Sequence, residues 1–218
     1  MTTPATSHPA ALGEEIANSI THGIGALLAV GGVTVLVTLA ALRGTAWHVV
    51  GCGVFGGSLV LLYLASTLYH AIPAPRAKRV LQALDHAGIL FLIAGTYTPF
   101  TLVTLRGPWG WTLFGIVWGL ALLGVGLELL APRRRVIAVA LYLVMGWTAV
   151  IAMRPLMAAM AAGGVRLLVL GGLAYTVGVV FYAWRRLPYH HALWHGFVLL
   201  GSVAHFLAVL FYVVPRTA

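Results

Sequence analysis

The sequence predicts an all-α, polytopic membrane protein: one bundle of seven transmembrane helices, N-terminus inside and C-terminus outside. Composition is the first ground. Of 218 residues, 61% are hydrophobic and 8% charged, against roughly 25% charged in ordinary soluble domains. Hydropathy patterning is the second, because seven apolar runs are each long enough, or nearly so, for the roughly 20 residues a helix needs to cross a bilayer core. The third is punctuation: proline, glycine and arginine collect in the breaks between those runs, where they stop helices by removing a donor or loosening the backbone. Residues 1–218 read as a single domain, since a chain of this size leaves no stretch for a separate soluble unit.

The elements follow in order. Residues 1–16 form a polar tail that lacks the basic start of a signal peptide, and the run after it is too long for one, so span 1 is expected to stay in the mature protein. Span 1 covers residues 18–42 and ends at Arg43-Gly44. Span 2 covers 47–71 and is followed by a proline-rich basic stretch in which residues 72–81, with Arg76, Lys78 and Arg79, read as a short interfacial helix. Span 3 covers 84–105, with a kink expected at Tyr97 to Pro99, and stops at Arg106-Gly107-Pro108. Span 4 covers 109–130. Span 5 covers 136–153 and is closed by Arg154-Pro155, span 6 covers 165–184, and span 7 covers 191–214.

A formal charge of +9 does not indicate nucleic acid, because the basic residues lie in short clusters between apolar spans and form no continuous stripe. They read as topology signals. With the N-terminus inside, the inner connections hold Arg76, Lys78, Arg79, Arg133, Arg134, Arg135, Arg185 and Arg186. The outer side holds Arg43, Arg106, Arg154, Arg166 and Arg216. Eight against five, with every cluster inside, sets the orientation expected of a multi-pass protein of the cell membrane. The single cysteine, Cys52, has no partner for an intramolecular disulfide.

Against this background, Ser66 to His70, Asp85-His86 and His191 to His195 stand out. Ionisable groups in lipid are costly unless paired or bound to metal. The topology puts the end of span 2 and the starts of spans 3 and 7 on the same side, hence at matching depth. His191 and His195, four residues apart, share one helix face about 6 Å apart along the axis, which suits two nitrogen ligands on one ion. Ser66 and His70 share a face in the same way. Three histidines with an open position form the donor pattern of a catalytic Zn2+ site, in which bound water becomes a usable nucleophile near neutral pH. Asp85 is the candidate general base, and Ser66 the candidate hydrogen-bond donor to an imidazole or a substrate carbonyl.

Each motif also has a plainer reading. A membrane serine often bonds the carbonyl four residues back, a terminal histidine can reach the headgroups, and Asp85 can serve as an N-cap. The shared depth of the three motifs favours the metal. His86 points away from Asp85's direction by about 100°, and His190 faces the interface. Asn18 and His22, near the same end of span 1, either support the site or are structural. His205 lies about 15 Å beyond His195 and bonds locally, while Glu128 pairs with the arginines at 133–135.

The stretches Glu14 to Gly23, Ser66-Thr67-Leu68-Tyr69-His70, Leu84-Asp85-His86-Ala87-Gly88 with Gly95-Thr96-Tyr97-Thr98-Pro99, and His190 to His195 together resemble the hemolysin III family. That family lies within the progestin and adiponectin Q receptor superfamily. The resemblance covers nearly the whole chain in order. It implies a seven-helix bundle with a zinc near the cytoplasmic side, held by His70, His191 and His195, with Ser66 and Asp85 as the accompanying serine and aspartate. In the receptors of that superfamily the site goes with ceramidase-type hydrolysis of lipid amides, so membrane lipids are the expected partners and a lipid amide or ester the expected substrate. Because this chain's tails are short beside those of the receptors, no peptide hormone is expected as a partner. Two other functions remain open: a hemolytic or channel-forming protein in which zinc staples helices together, and a haem-binding electron carrier. No span carries the continuous polar stripe that a wide pore needs, and an i, i+4 histidine pair suits one small ion better than haem.

Overall fold

The computed structural model describes residues 9–130 and 135–215, so the expected roles of Arg133, Arg134 and Arg216 fall outside the described residues. Every regular element in the described residues is helical: α1 (Pro9–Arg43), α2 (Ala46–Ala71), α3 (Pro75–Pro99), α4 (Pro108–Leu130), α5 (Arg135–Trp147), α6 (Met153–Ala159), α7 (Ala162–Ala183) and α8 (His190–Tyr212). A π-helical turn, Phe100–Thr104, continues α3, and a 3-10 turn, Thr148–Ala152, joins α5 to α6. Seven of the resulting helical segments are long and apolar enough to cross a membrane, matching the expected all-α, seven-span architecture.

Three boundaries differ from the sequence reading. The polar tail ends early, because α1 is already helical at Pro9 and its membrane-length segment begins at Leu12. Glu14 and Glu15 are tolerated there because both find partners on other helices. The interfacial helix over 72–81 does not exist as a separate element. Pro75 opens α3 at a position where its missing N–H costs nothing, and one helix then runs on into the membrane. Asp85 therefore lies well inside α3 and is not an N-cap. Finally, Arg154-Pro155 does not end span 5: Pro155 sits in the first turn of α6, and the chain breaks only at Met160 and Ala161, where the backbone becomes extended.

That fifth span pays in regularity at its middle, and Tyr97 repairs the defect. Its hydroxyl accepts from the Ala149 N–H at 2.8 Å and donates toward the Gly146 carbonyl at 2.8 Å, with the Met145 carbonyl at 3.0 Å. These are the backbone groups that the switch from α to 3-10 geometry leaves without helical partners. Tyr97 thus tethers span 5 to α3, while the departure of α3 from α geometry follows immediately after Pro99.

Close helix approach is set by small residues, as expected where lipid removes the hydrophobic drive between helices. A Cβ on Gly88 would stand 3.1 Å from the Leu62 Cα, and one on Gly51 would stand 2.9 Å from the Pro99 Cα, so α2 and α3 touch nearly backbone to backbone. A polar node fixes α2, α7 and α8 together: the Tyr63 hydroxyl donates to Ser202 Oγ at 2.8 Å, and the Tyr175 hydroxyl lies 2.9 Å from the same oxygen. The larger core cluster includes Phe55, Leu62, Tyr63, Val198 and Val209. A smaller one, built from Leu90, Ala94, Val117, Ala121 and Met145, fills the space between α3, α4 and α5.

Candidate metal centre

The same end of the bundle gathers the last turn of α2, the first turns of α8, the second and third turns of α3 and the N-terminal part of α1. His70 comes from α2; His191 and His195 come from successive turns of α8. Their ligand nitrogens all lie within 4.8 Å of one another. Ring centroids are 5.2 Å apart for His70 and His191, 5.1 Å for His70 and His195, and 4.6 Å for His191 and His195. Zinc–nitrogen bonds of about 2.0–2.1 Å in a tetrahedron put donor nitrogens about 3.4 Å apart, so modest side-chain rotation closes the set on one ion. Three histidines here can hold a metal ion.

The hydrogen bonds behind the rings agree with that use. His195 is almost fully buried, and its Nδ1–H donates to the Asn18 carbonyl at 3.3 Å. The lone pair of that ring is then on Nε2. His70 is likewise buried, its Nδ1 is taken by Glu15, and its Nε2 has no hydrogen-bond partner. A buried, unpartnered imidazole nitrogen costs free energy unless something fills it, and a cation does so. The backbone N–H of His191 donates to Glu14 Oε1 at 3.3 Å, which anchors the start of α8 on α1. Tyr189, just before α8, holds a left-handed backbone with φ of 56°, an uncommon conformation for a side chain of this size, at the point where the chain turns into the two histidines.

Asp85 and Ser66 are both buried on the α2–α3 face beside this cluster. His86, Ser66 and His70 are among the polar groups near the Asp85 carboxylate. Ser66 Oγ has no hydrogen-bond partner in good geometry, so it does not make the bond to its own helix that a membrane serine often makes. Asp85 lies near His70, and neither Asp85 nor Ser66 belongs to the three-histidine group.

Other residues fall differently. His86 pairs with Glu128 at 2.6 Å, a link from α3 to α4; the expected pairing of Glu128 with the arginines at 133–135 falls outside the described side chains. His190 lies with its Nε2 3.9 Å from Glu14 Oε1 on α1. His205 bonds locally, with Nε2 3.1 Å from the Leu168 carbonyl. The open question over Asn18 and His22 is answered by geometry. Asn18 contacts both His70 and His195, and His22 stacks on His195 with centroids 3.5 Å apart and planes 11° from parallel. Sequence reasoning missed Glu14, Glu15 and Lys78. The available signal was that two of only four acidic residues in the chain sit one turn before Asn18 on the same helix.

A cavity of about 410 Å³ opens from this cluster into the bundle. His70, Asp85 and His191 border one end, and Trp147, Tyr175 and His205 border the other. From His195 to His205 along α8 is about 15 Å, so the space is elongated along the helix axes.

The profile of the family described as "Haemolysin-III related" matches residues 10–206. The chain is 50% identical over 202 residues to the "Hemolysin-3 homolog" of Bacillus subtilis (strain 168), covering 92% of this chain and 95% of that protein. It is 48% identical over 206 residues to "Hemolysin-3" of Bacillus cereus, covering 94% of each. A more distant relative is the "Monocyte to macrophage differentiation factor" of Homo sapiens, 27% identical over 91% of this chain and 84% of that one. No solved structure matches the chain.

Proposed function

The chain belongs to the haemolysin-III-related family of multi-pass membrane proteins, and from that premise we propose that it is a zinc-dependent hydrolase of lipid amide or ester bonds. The ion is held by His70, His191 and His195 at the cytoplasmic end of the bundle. One observation carries this reading: among the described residues the donor set stops at three imidazoles and opens on an elongated cavity. Structural zinc usually has four protein ligands, whereas catalytic zinc has three and an exchangeable position. The placement of that end in the cytoplasm is supported by the clusters at Arg76, Lys78 and Arg79 and at Arg185 and Arg186, which follow the positive-inside rule.

Zinc, when bound, polarises a carbonyl and lowers the pKa of water at the site. The chain's own groups supply the rest. The cavity takes the apolar chain of a membrane lipid alongside α8 and leaves the scissile carbonyl at the histidine end. Ser66 Oγ, buried beside the Asp85 carboxylate, donates to that carbonyl oxygen. Hydrolysis adds the elements of water across the carbonyl–nitrogen or carbonyl–oxygen bond. Asp85 takes the proton that water loses and returns it to the departing amine or alcohol, the work of a general base that then serves as general acid.

A second reading has the names of the Bacillus relatives behind it: lysis of membranes, with the ion serving only to staple α2 to α8. A lipid-hydrolysis screen in reconstituted vesicles, run on the wild type and Asp85→Asn, decides between them. Product release by the wild type that disappears in Asp85→Asn supports the hydrolase. Vesicle leakage that is equal in both proteins, without product, contradicts it.

A further inference from the structure

We propose that Glu15, held by Lys78, is the positioning residue that prepares His70 to bind the ion. The inference rests on the reading of His70, His191 and His195 as a metal site, and it adds a residue from a helix that contributes no ligand. Glu15 Oε2 lies 3.0 Å from His70 Nδ1, and Lys78 Nζ lies 3.1 Å from the same oxygen. Lys78 also stands over the ring of Tyr69, 5.0 Å from its centroid, which holds it beside α2. The side-chain amide of Asn18 is 3.4 Å from the same His70 nitrogen. The shorter contact to a charged acceptor is the stronger one, so it decides where the proton sits. A carboxylate can only accept; Nδ1 therefore carries the hydrogen and donates it to Glu15. The lone pair moves to Nε2, the buried atom that has no partner of its own.

The consequence is specific. Without Glu15 the His70 ring is free to take the other tautomer or to rotate, and either change removes one of three donors from the set. A carboxylate behind a ligating imidazole also raises the basicity of that ring, and such partners are typically worth about 10- to 100-fold in metal affinity. Lys78 fixes the carboxylate's position and offsets part of its charge. Three helices thus meet at one imidazole: α1 through Glu15, α2 through His70 itself and α3 through Lys78.

The experiment is zinc affinity by chelator competition on the full-length protein in detergent, for the wild type, Glu15→Ala and Glu15→Gln. The visible spectrum of the cobalt(II) form and the melting temperature of the metal-free form are read alongside. Glu15→Ala should weaken zinc binding about 10- to 100-fold and alter the cobalt spectrum. Glu15→Gln, nearly the same shape and still able to accept through its amide oxygen, should recover part of the loss, with metal-free melting within a few degrees of the wild type. Glu15→Gln also keeps the test decisive if the alanine variant fails to fold. Wild-type affinity in both variants, with zinc bound normally, overturns the role of Glu15 and leaves the metal site standing. A wild type that binds no zinc overturns both.

Discussion

At the scale of residues, three imidazoles converge while the groups around them divide into those that steer the rings and those that remain available for chemistry. Asn18 and Glu15 accept from the Nδ1 atoms of His195 and His70, so orientation of the site is the business of α1. Asp85 and Ser66 have no such duty toward a ligand. Replacing Asp85 by Asn removes a proton acceptor while keeping its volume. It should leave zinc content nearly unchanged and lower hydrolysis by about 10²–10⁴-fold, the usual worth of a general base; product assays and metal analysis on the same preparation check both halves. The i, i+4 spacing of His191 and His195 and the matching depth of His70 were legible in the sequence, because both follow from helix geometry and alternation of spans. Glu15 and Lys78 were not. Their contacts join residues 55 and 63 positions apart, and no single-sequence pattern encodes which faces of α1, α2 and α3 meet.

At the scale of elements, hydropathy located all seven spans but misplaced ends wherever polar residues were satisfied by neighbours. Residues 75–83 looked too polar for a membrane helix, yet they form the opening turns of α3, with Lys78 paired to α1. Arg154-Pro155 looked like a stop, yet Pro155 sits where a helix needs no N–H. The true irregularity of span 5 lies at residues 148–152 and is visible only through its partner, Tyr97 on α3. Tyr97→Phe keeps the ring and deletes the hydroxyl that serves Ala149 and Gly146. The loss should be about 1 kcal/mol or somewhat more, read as a lower melting temperature in detergent, with zinc binding unchanged because the defect is remote from the histidines.

At the scale of the whole molecule, the candidate metal site joins the first span to the last. Its ligands come from α2 and α8, and its orienting groups come from α1, so one ion would lock the first, second and last spans at one end of the bundle. The Tyr63–Ser202 bond links α2 to α8 deeper in the protein. Binding to the folded state alone stabilises by mass action, about 2.7 kcal/mol at a free-metal concentration 100 times the dissociation constant. Chelation should therefore lower the melting temperature of the wild type, and added zinc should restore it, whereas a His191→Ala, His195→Ala double variant should melt at the same temperature with or without chelator. The most direct measurement is elemental analysis of the purified wild type and that double variant. The proposed function predicts about one zinc per chain in the wild type and little or none in the variant; a metal-free wild type, or a variant that keeps its metal, contradicts it.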